Sequence, residues 1–276
     1  MKLNQLKVLL VTLFVLTLMF TSTSFAIGEK STLDKILDEG VLRVGETLDC
    51  PPNGYYDDKG EPAGYEVDVA KKIAEMLGVK LEIIDTPAPS RISALLAGKV
   101  DITFSGLAIT PARALAVSYA RPYISNTAWI ITKKDSVINN FEDIAGKKVG
   151  VVKGSTPEIN LMEIVKNWEN KPEIISYSSD ADVLMVLSQG KVDALANTKI
   201  VFEKQFNAIF PDQYKIVGPA FFKEFCAPAV RKGDKELLEW LNTALWAMIV
   251  LTPDMNNLNK KYYGIPLEEE VYWGLN

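Results

Sequence analysis

The sequence contains no histidine in its 276 residues, and this absence excludes several functions. Histidine is the commonest general base in enzymes, a frequent metal ligand and the central member of the Ser-His-Asp triad. A hydrolase of that type and most zinc sites are therefore ruled out. Any chemistry must come from carboxylates, arginine, lysine, tyrosine or the backbone, and we expect neither a metal nor an organic cofactor.

Cysteine is almost as scarce, because the chain contains only Cys50 and Cys226. Two thiols are too few for a structural metal cluster. They can form one disulfide in an oxidising compartment, or they can remain as two buried free thiols. The sequence leaves these two states open.

Long apolar runs are confined to the first 26 residues. This segment places Lys2 and Lys7 before an apolar run at residues 8–20, and it ends in a polar stretch and Ala26. That order is typical of a secretory signal. We expect cleavage after Ala26, export across the inner membrane and a soluble periplasmic or extracellular protein. An N-terminal membrane anchor is the alternative.

The 250 residues that remain after cleavage carry an excess of negative charge. Loss of Lys2 and Lys7 leaves 28 basic residues against 35 acidic residues, which is a net charge of −7. Nucleic acids and anionic membranes would repel such a protein at long range. We therefore expect no nucleic-acid partner.

The tetrapeptide GKVD occurs twice, at residues 98–101 and 190–193. Before each copy, apolar residues recur at helical spacing, and the glycine is suited to the left-handed conformation that ends a helix. After each copy, the pattern is that of a strand. The repeat therefore predicts two helix-to-strand units, and it puts Ser105 and Asn197 at equivalent positions at the ends of two strands.

Strands and helices alternate along both halves of the chain. Strands are predicted at residues 41–45, 79–85, 147–152 and 172–178, with helices between them. This order is typical of an α/β fold in which mostly parallel sheets are covered by helices on both faces.

Two such series predict two lobes. The expected boundaries are residues 27–125 and 221–276 for lobe 1 and residues 126–220 for lobe 2, with a two-strand hinge where the chain crosses. Ligands of open α/β sheets bind beyond the carboxyl ends of the strands. We therefore expect Ser105 and Asn197 to face each other across one cleft.

Phrases distributed along the mature chain resemble a known family. They include VLRVGETLDCPP, GEPAGYEVDVAKKIAEMLG, SGLAITPAR, FEDIAGKKVGVVKGSTPE, GKVDALANT and VRKGD, in this order over about 230 residues. The chain resembles the type II periplasmic solute-binding proteins of polar-amino-acid ABC transporters, the bacterial extracellular solute-binding protein family 3. The resemblance implies a monomer that binds an amino acid or a related small carboxylate between its lobes and delivers it to a membrane ABC permease.

The same resemblance assigns residues to the ligand site. Arg113, in SGLAITPAR, would bind the ligand's carboxylate, for which a guanidinium offers a planar fork of donors. Thr156 would contact the same carboxylate from a helix N-terminus. Arg91 matches a position that meets a side-chain carboxylate in relatives that take acidic amino acids. Further expected ligand contacts are the backbone N–H groups of Gly106 and Ala108, together with Ser105, Ser155, Asn197 and Asp49.

The sequence departs from the family pattern at two positions. Asn197 stands where amino-acid binders typically have the aspartate that pairs with the ligand's ammonium group, and Ala108 stands where a hydroxyl often assists it. An amide cannot neutralise a buried ammonium. The ligand is therefore either an amino acid whose ammonium uses another acid or a carboxylate without an ammonium. The candidates for the other acid are Asp49, Glu46 and Glu158.

A catalytic alternative follows from the same scaffold. The family's cyclohexadienyl dehydratases are similar, and Glu158, in GSTPE, matches the position of their general acid. A carboxyl buried in a closed cleft can acquire the raised pKa that this role needs. Ordinary binders also carry a glutamate here, where it complements the helix dipole, so we expect a binding protein rather than a prephenate or arogenate dehydratase. A ligand-sensing receptor ectodomain is disfavoured because no second apolar span is present.

Overall fold

The computed structural model describes residues 30–268 and Val271. Residues 1–26, for which we predict a secretory signal, lie outside the described part of the chain. Among the described helices, none combines the length and the hydropathy that crossing a bilayer requires.

The first part of the described chain alternates helices with strands, as the sequence predicts. Its elements are α1 (Thr32–Glu39), β1 (Val41–Glu46), β2 (Asp49–Cys50), β3 (Gly54–Tyr56), β4 (Pro62–Ala63), α2 (Tyr65–Leu77), β5 (Lys80–Asp85), α3 (Arg91–Leu96), β6 (Ile102–Thr103), α4 (Pro111–Ala114) and β7 (Val117–Tyr119).

The alternation continues in a second part and then returns to helices. The elements are β8 (Ile124–Lys133), a 3-10 turn (Phe141–Ile144), β9 (Lys148–Val152), α5 (Thr156–Val165), β10 (Glu173–Tyr177), α6 (Asp180–Ser188), β11 (Ala194–Thr198), α7 (Lys199–Val201), a π-helical turn (Phe202–Phe206), α8 (Asn207–Ile209), β12 (Tyr214–Cys226), β13 (Ala229–Arg231), α9 (Lys235–Trp246), a second π-helical turn (Ala247–Leu251) and α10 (Asp254–Tyr263).

The strands form two five-stranded sheets and one small three-stranded sheet. The first sheet has the order β5-β1-β6-β13-β7, and the second has the order β10-β9-β11-β8-β12. The first three strands of each sheet are parallel, and the last two introduce antiparallel pairs. The expected parallel pairing is confirmed for the first three strands of each sheet, where helices connect one strand to the next.

The chain passes between the two sheets twice. It leaves the first sheet after β7 and enters the second with β8, and it returns after β12 to place β13 in the first sheet. Strands β8 and β12 are antiparallel neighbours. Ile124, the first residue of β8, pairs with Cys226, the last residue of β12. The two crossings therefore lie side by side, which is the arrangement of a two-strand hinge.

Helices cover both faces of the sheets, as the sequence predicts. In the first sheet, Ile73 of α2 and Leu241 of α9 are fully buried in one core cluster, and Leu95 of α3 is fully buried in another. In the second sheet, Leu161 of α5 and Leu187 of α6 occupy two separate clusters. Burial of such leucine and isoleucine side chains contributes about 1.5–3 kcal/mol each, so these helices are held mainly by their apolar faces.

Helix α2 begins at a position that requires glycine. Gly64, its N-cap, has a φ of 128°, and a Cβ atom there would lie 2.2 Å from the carbonyl oxygen of Asn53. Val67, Ala70 and Ala74 recur at helical spacing in the sequence, and all three are buried. The start and the orientation of the helix are therefore both fixed by the local sequence.

The two GKVD copies perform the same structural task. The glycine of each copy has a positive φ and ends the preceding helical segment. Asp101 accepts a hydrogen bond from the backbone N–H of Arg43 in β1 at 3.0 Å. Asp193 accepts one from the N–H of Lys148 in β9 at 2.8 Å. Each aspartate thus ties its own strand to the parallel neighbour, which accounts for the repeat.

Candidate functional site

The carboxyl ends of the strands enclose a small cavity of about 90 Å3. Its walls come from the loops that follow β1, β6, β9 and β10, from β11, and from the crossing strands β8 and β12. The position is the one expected for a ligand of an open α/β sheet.

A larger depression of about 570 Å3 lies beside β8, α7 and the segment that follows α10. Its charged lining residues include Lys199 and Glu203, which are half-exposed and form an ion pair at 3.5 Å. The smaller cavity contains buried charged side chains from both sheets, and this concentration of charge marks it as the candidate site.

Ser105 and Asn197 both line the cavity, one from each sheet, as the GKVD repeat predicts. Ser105 has a φ of 50°, which is unusual for a residue other than glycine. Its backbone N–H donates to Oε2 of Glu46 at 3.1 Å, and its carbonyl accepts from Nη1 of Arg91 at 2.5 Å. The strained turn is thus held by a buried carboxylate on one side and by a guanidinium on the other.

Arg113 connects the two halves of the site. It is only 8% exposed. Its Nη1 donates to the carbonyl of Ala108 at 2.9 Å and to Oγ1 of Thr156 at 3.3 Å, and its Nη2 donates to the carbonyl of Gly154 at 2.7 Å. Arg113 is not among the described residues that line the cavity, but Thr156, which it contacts, is one of them. Arginine and threonine are therefore adjacent, as the resemblance implies.

Arg91 lines the cavity and reaches the same carbonyl. Its Nη2 donates to the carbonyl of Gly154 at 3.4 Å. Burial, together with the nearby charge of Arg113, lowers the pKa of Arg91 to about 10. Two buried guanidiniums thus share one backbone acceptor, and together they form a positive end of the cavity.

The N-terminus of α5 faces this positive end. Ser155 is its N-cap, and Oγ of Ser155 accepts from the backbone N–H of Glu158 at 3.3 Å. Thr156 follows as the first helical residue and is 3% exposed. Both residues line the cavity. The helix dipole adds to the positive potential here.

Glu158 does not occupy the position that the catalytic alternative requires. Its Oε2 accepts from the backbone N–H of Gly154 at 2.6 Å, and its Oε1 accepts from the hydroxyl of Ser176. It is not among the described residues that line the cavity. The sequence suggested Glu158 as a general acid or as an ammonium partner, but its carboxylate instead fixes the loop before α5.

The backbone donors expected at residues 106 and 108 are also engaged differently. The N–H of Gly106 lines the cavity but donates to both oxygens of the Glu66 carboxylate, at 3.0 and 3.1 Å. Ala108 is fully buried, is not among the described lining residues, and uses its carbonyl to accept from Arg113. A ligand could use the Gly106 donor only by displacing Glu66, and a ligand contact of the Ala108 N–H stays a prediction.

Glu66 and Glu46 form a buried pair that the sequence did not reveal. Both are 1% exposed. The hydroxyl of Tyr123 donates to Oε1 of Glu66. Burial raises the pKa of Glu46 well above its usual range, and the neighbouring Glu66 raises it further. Glu46 is also not among the described residues that line the cavity, which argues against it as the acid that meets an ammonium.

Asp180 is a second acid that the sequence did not single out. It is the first residue of α6, is 8% exposed and lines the cavity. Nδ2 of Asn197 donates to its Oδ1 at 2.7 Å, and the thiol of Cys50 is a further donor. Burial raises the pKa of Asp180, and the bonds from Asn197 and Cys50 oppose the rise. An aspartate in the first turn of a helix is common, so only its burial distinguishes it.

Asp49 lines the same cavity from the first half. Asp49 is solvent-exposed, but partial desolvation raises its pKa to about 6, and the negative charges of Asp180 and Asp85 contribute to the rise. Asp49 was expected near the ligand. The electrostatic interaction with Asp180 means that two carboxylates from opposite halves approach one another.

Glu224, Cys226 and Cys50 complete the polar walls. Glu224, on β12, is 6% exposed, and burial raises its pKa while Thr156, Arg113 and Arg91 oppose the rise. Both cysteines are free thiols, so the described structure contains no bond between them. Among the described residues, no group of acids and cysteines has the arrangement of a metal site.

Comparisons with known proteins point to one family. A profile of the bacterial extracellular solute-binding proteins, family 3, matches residues 42–265. The chain is 29% identical over 210 residues to the ABC transporter arginine-binding protein 1 of Escherichia coli (strain K12), which is 75% of this chain and 84% of the relative.

Solved structures agree with this match. The P235GK mutant of ArgBP from T. maritima superposes with a TM-score of 0.77 at 31% identity, covering 84% of this chain and 99% of that one. The ancestral amino acid-binding protein AncCDT-1, described as a precursor of cyclohexadienyl dehydratase, superposes with a TM-score of 0.75 at 34% identity, covering 84% of this chain and all of the other.

Proposed function

The chain belongs to the bacterial extracellular solute-binding proteins, family 3, and from this membership we propose that it is the solute-binding component of an ABC importer. It binds an amino acid or a related small carboxylate in the cavity between its two sheets and delivers it to a membrane permease. The E. coli relative is named for binding arginine, and the ancestral structure is named for binding amino acids. Both names support this ligand class.

The observation that carries a carboxylate ligand is the convergence of Arg113, Arg91 and Thr156. The two guanidiniums both donate to the carbonyl of Gly154, which is a single neutral acceptor. A ligand carboxylate offers two charged oxygens to the same donors, and such charge-assisted bonds are roughly twice as strong as neutral ones. The N-terminus of α5, with Ser155, favours the same negative group.

Binding and closure are linked in this proposal. Lobe 1 comprises residues 27–125 and 221–276, lobe 2 comprises residues 126–220, and β8 and β12 form the hinge between them. Residues of both lobes line the cavity, so we propose that the lobes separate to admit a ligand and close around it. The ligand then favours the closed state because only that state lets both lobes contact it.

The proposal also covers the setting of the protein. Residues 1–26 act as a secretory signal, and the mature protein works as a monomer in the periplasm or outside the cell. Its macromolecular partner is the permease, which recognises the closed, loaded form.

Binding is favoured over dehydratase chemistry by the contacts of Glu158. Both of its carboxylate oxygens accept hydrogen bonds from Gly154 and Ser176. A general acid has to reach the departing group of its substrate. Glu158 is instead engaged outside the described lining of the cavity.

A thermal-shift screen of the purified protein against amino acids, dicarboxylates, prephenate and arogenate tests the proposed function. A ligand present at one hundred times its dissociation constant adds about 2.7 kcal/mol of stability. We expect at least one amino acid to raise the melting temperature without being consumed. Stabilisation by none of these compounds would contradict the proposal, and product formation from prephenate or arogenate would establish the enzyme instead.

A further inference from the structure

The walls of the cavity carry more negative than positive charge. The described lining residues include three carboxylates, those of Asp49, Asp180 and Glu224, and one guanidinium, that of Arg91. Arg113 stands just behind them and adds a second positive charge. Both guanidiniums lie at the end where α5 begins, so the end formed by Asp49 and Asp180 has no basic side chain among its described lining residues.

The Asp180–Asn197 pair defines this acidic end. The amide of Asn197 has one orientation that fits its neighbours, because Nδ2 donates to Asp180 at 2.7 Å and Oδ1 accepts from the N–H of Thr198 at 2.7 Å. Asn197 therefore presents a donor to the carboxylate and holds it in place. An amide and a thiol do not cancel the charge of a buried carboxylate, which costs several kcal/mol when no cation is near.

Glu224 lines the cavity on the side of Thr156 and the two guanidiniums. Its Oε2 is buried and has no hydrogen-bond partner among the residues that the structure describes. A buried acceptor without a partner favours a ligand that brings a donor. An amine supplies N–H donors, whereas a carboxylate without an amine brings only acceptors and adds negative charge. The lining thus matches a ligand that has a cation as well as a carboxylate.

We propose that Asp180, held by Asn197, binds the ammonium group of the ligand, and that the cavity therefore selects α-amino acids over amine-free carboxylates of the same shape. The ammonium and carboxylate of an α-amino acid are attached to one carbon atom, and Asn197 and Thr156 line one cavity of about 90 Å3. The negative charge that the resemblance leads one to expect at residue 197 lies instead at residue 180. This inference rests on the proposed binding function.

A charge exchange between residues 180 and 197 tests the assignment. The variants are Asp180→Asn, Asn197→Asp and the double variant that carries both changes, and calorimetry measures their affinity for the amino acid that binds wild type best. Removing one partner of a buried charged pair typically costs 2–5 kcal/mol, so Asp180→Asn should weaken binding on the order of a hundredfold. The double variant returns a carboxylate to the pair and should bind the amino acid at least about tenfold more tightly than Asp180→Asn does.

The control for this exchange is Asp182→Asn, which makes the same chemical change two residues along α6 and outside the described lining of the cavity. It should keep the wild-type affinity within about twofold. Circular dichroism of each variant verifies the fold. Wild-type affinity in Asp180→Asn, or a double variant no better than Asp180→Asn, would overturn the assignment.

A comparison on the wild-type protein needs no variant. The best amino acid is titrated beside the 2-hydroxy acid in which a hydroxyl replaces its ammonium group. We expect the amino acid to bind at least about a hundredfold more tightly, and equal affinity would overturn the inference. Failure of every carboxylate to bind wild type would instead overturn the proposed function, so the two failures are distinguishable.

Discussion

Arg113 combines a buried charge with a planar fork of hydrogen-bond donors. Its two terminal nitrogens reach a threonine hydroxyl and two backbone carbonyls at once. A lysine would keep the charge but would present a single ammonium in place of the planar fork. If a ligand carboxylate replaces one of these acceptors, the fork supplies two parallel hydrogen bonds to it.

Replacement of Arg113 should therefore reduce ligand binding strongly. We expect Arg113→Ala to weaken binding on the order of a hundredfold or more, because the ligand carboxylate would lose its main charged partner. Arg113→Lys should lie between this variant and wild type. The carbonyl of Ala108 keeps its bond from the Tyr119 hydroxyl, so the fold should persist. The exposed Arg121 provides the control, and an Arg113→Ala variant that binds as tightly as Arg121→Ala would contradict this role.

The sequence identified some site residues and missed others for a physical reason. Arg113, Thr156 and Asn197 occupy recognisable motifs beside strand ends, so their neighbourhood could be predicted. Asp180 and Glu66 each stand in the first turn of a helix, where an acid ordinarily complements the helix dipole on the surface. Their burial depends on residues from distant parts of the chain, and no local pattern encodes such contacts.

At the scale of helices and strands, most of the architecture could be read from the sequence. The strands predicted around 41–45, 79–85, 147–152 and 172–178 are present as β1, β5, β9 and β10. The π-helical turns and the insertion of β13 between β6 and β7 could not be predicted. These features are fixed by long-range packing, because β13 pairs with strands more than a hundred residues earlier.

The joint between α2 and α10 illustrates such long-range packing. Oδ2 of Asp68 accepts from Nζ of Lys261 at 2.7 Å and from the hydroxyl of Tyr262 at 2.6 Å, and Oδ1 accepts from Nζ of Lys71 at 3.0 Å. Burial opposes ionisation of Asp68, but the bonds from Lys261, Tyr262 and Lys71 outweigh it and lower its pKa. The ionised carboxylate therefore stabilises the contact between the two helices.

Asp68→Asn should lower the free energy of unfolding by about 1–2 kcal/mol at neutral pH. Because the folded pKa lies below the unfolded value of about 3.9, the contribution is complete above that pH and is lost as the pH falls through the folded pKa. Urea titrations at pH 7 and near pH 3 measure the difference. We expect the difference in the free energy of unfolding between wild type and Asp68→Asn to be smaller near pH 3 than at pH 7.

Glu75→Gln is the control for the joint, because Glu75 lies on the same helix and is 72% exposed, with an ion pair only to Lys72. It should change stability by less than about 0.5 kcal/mol. Equal effects of the two variants at pH 7, or an Asp68 effect that persists unchanged in acid, would refute the role of the ionised carboxylate.

At the scale of the whole molecule, two sheets are joined by two adjacent strands, and the charged groups gather where the sheets face one another. Arg91 and Arg113 reach from the first half to Gly154 in the second. Asp49 and Asp180 approach from opposite halves as like charges. The cavity is therefore lined from both halves, with positive charge near Gly154 and negative charge at Asp49 and Asp180.

The central claim is that each chain binds one α-amino acid in this cavity, and an isothermal calorimetric titration of the purified protein tests it most directly. The amino acid with the largest thermal shift is titrated into wild type and into Arg113→Ala. Our account predicts saturable binding with one site per chain in wild type and a loss on the order of a hundredfold in the variant. Absence of saturable binding for every amino acid, or equal affinity of the two proteins, would contradict it.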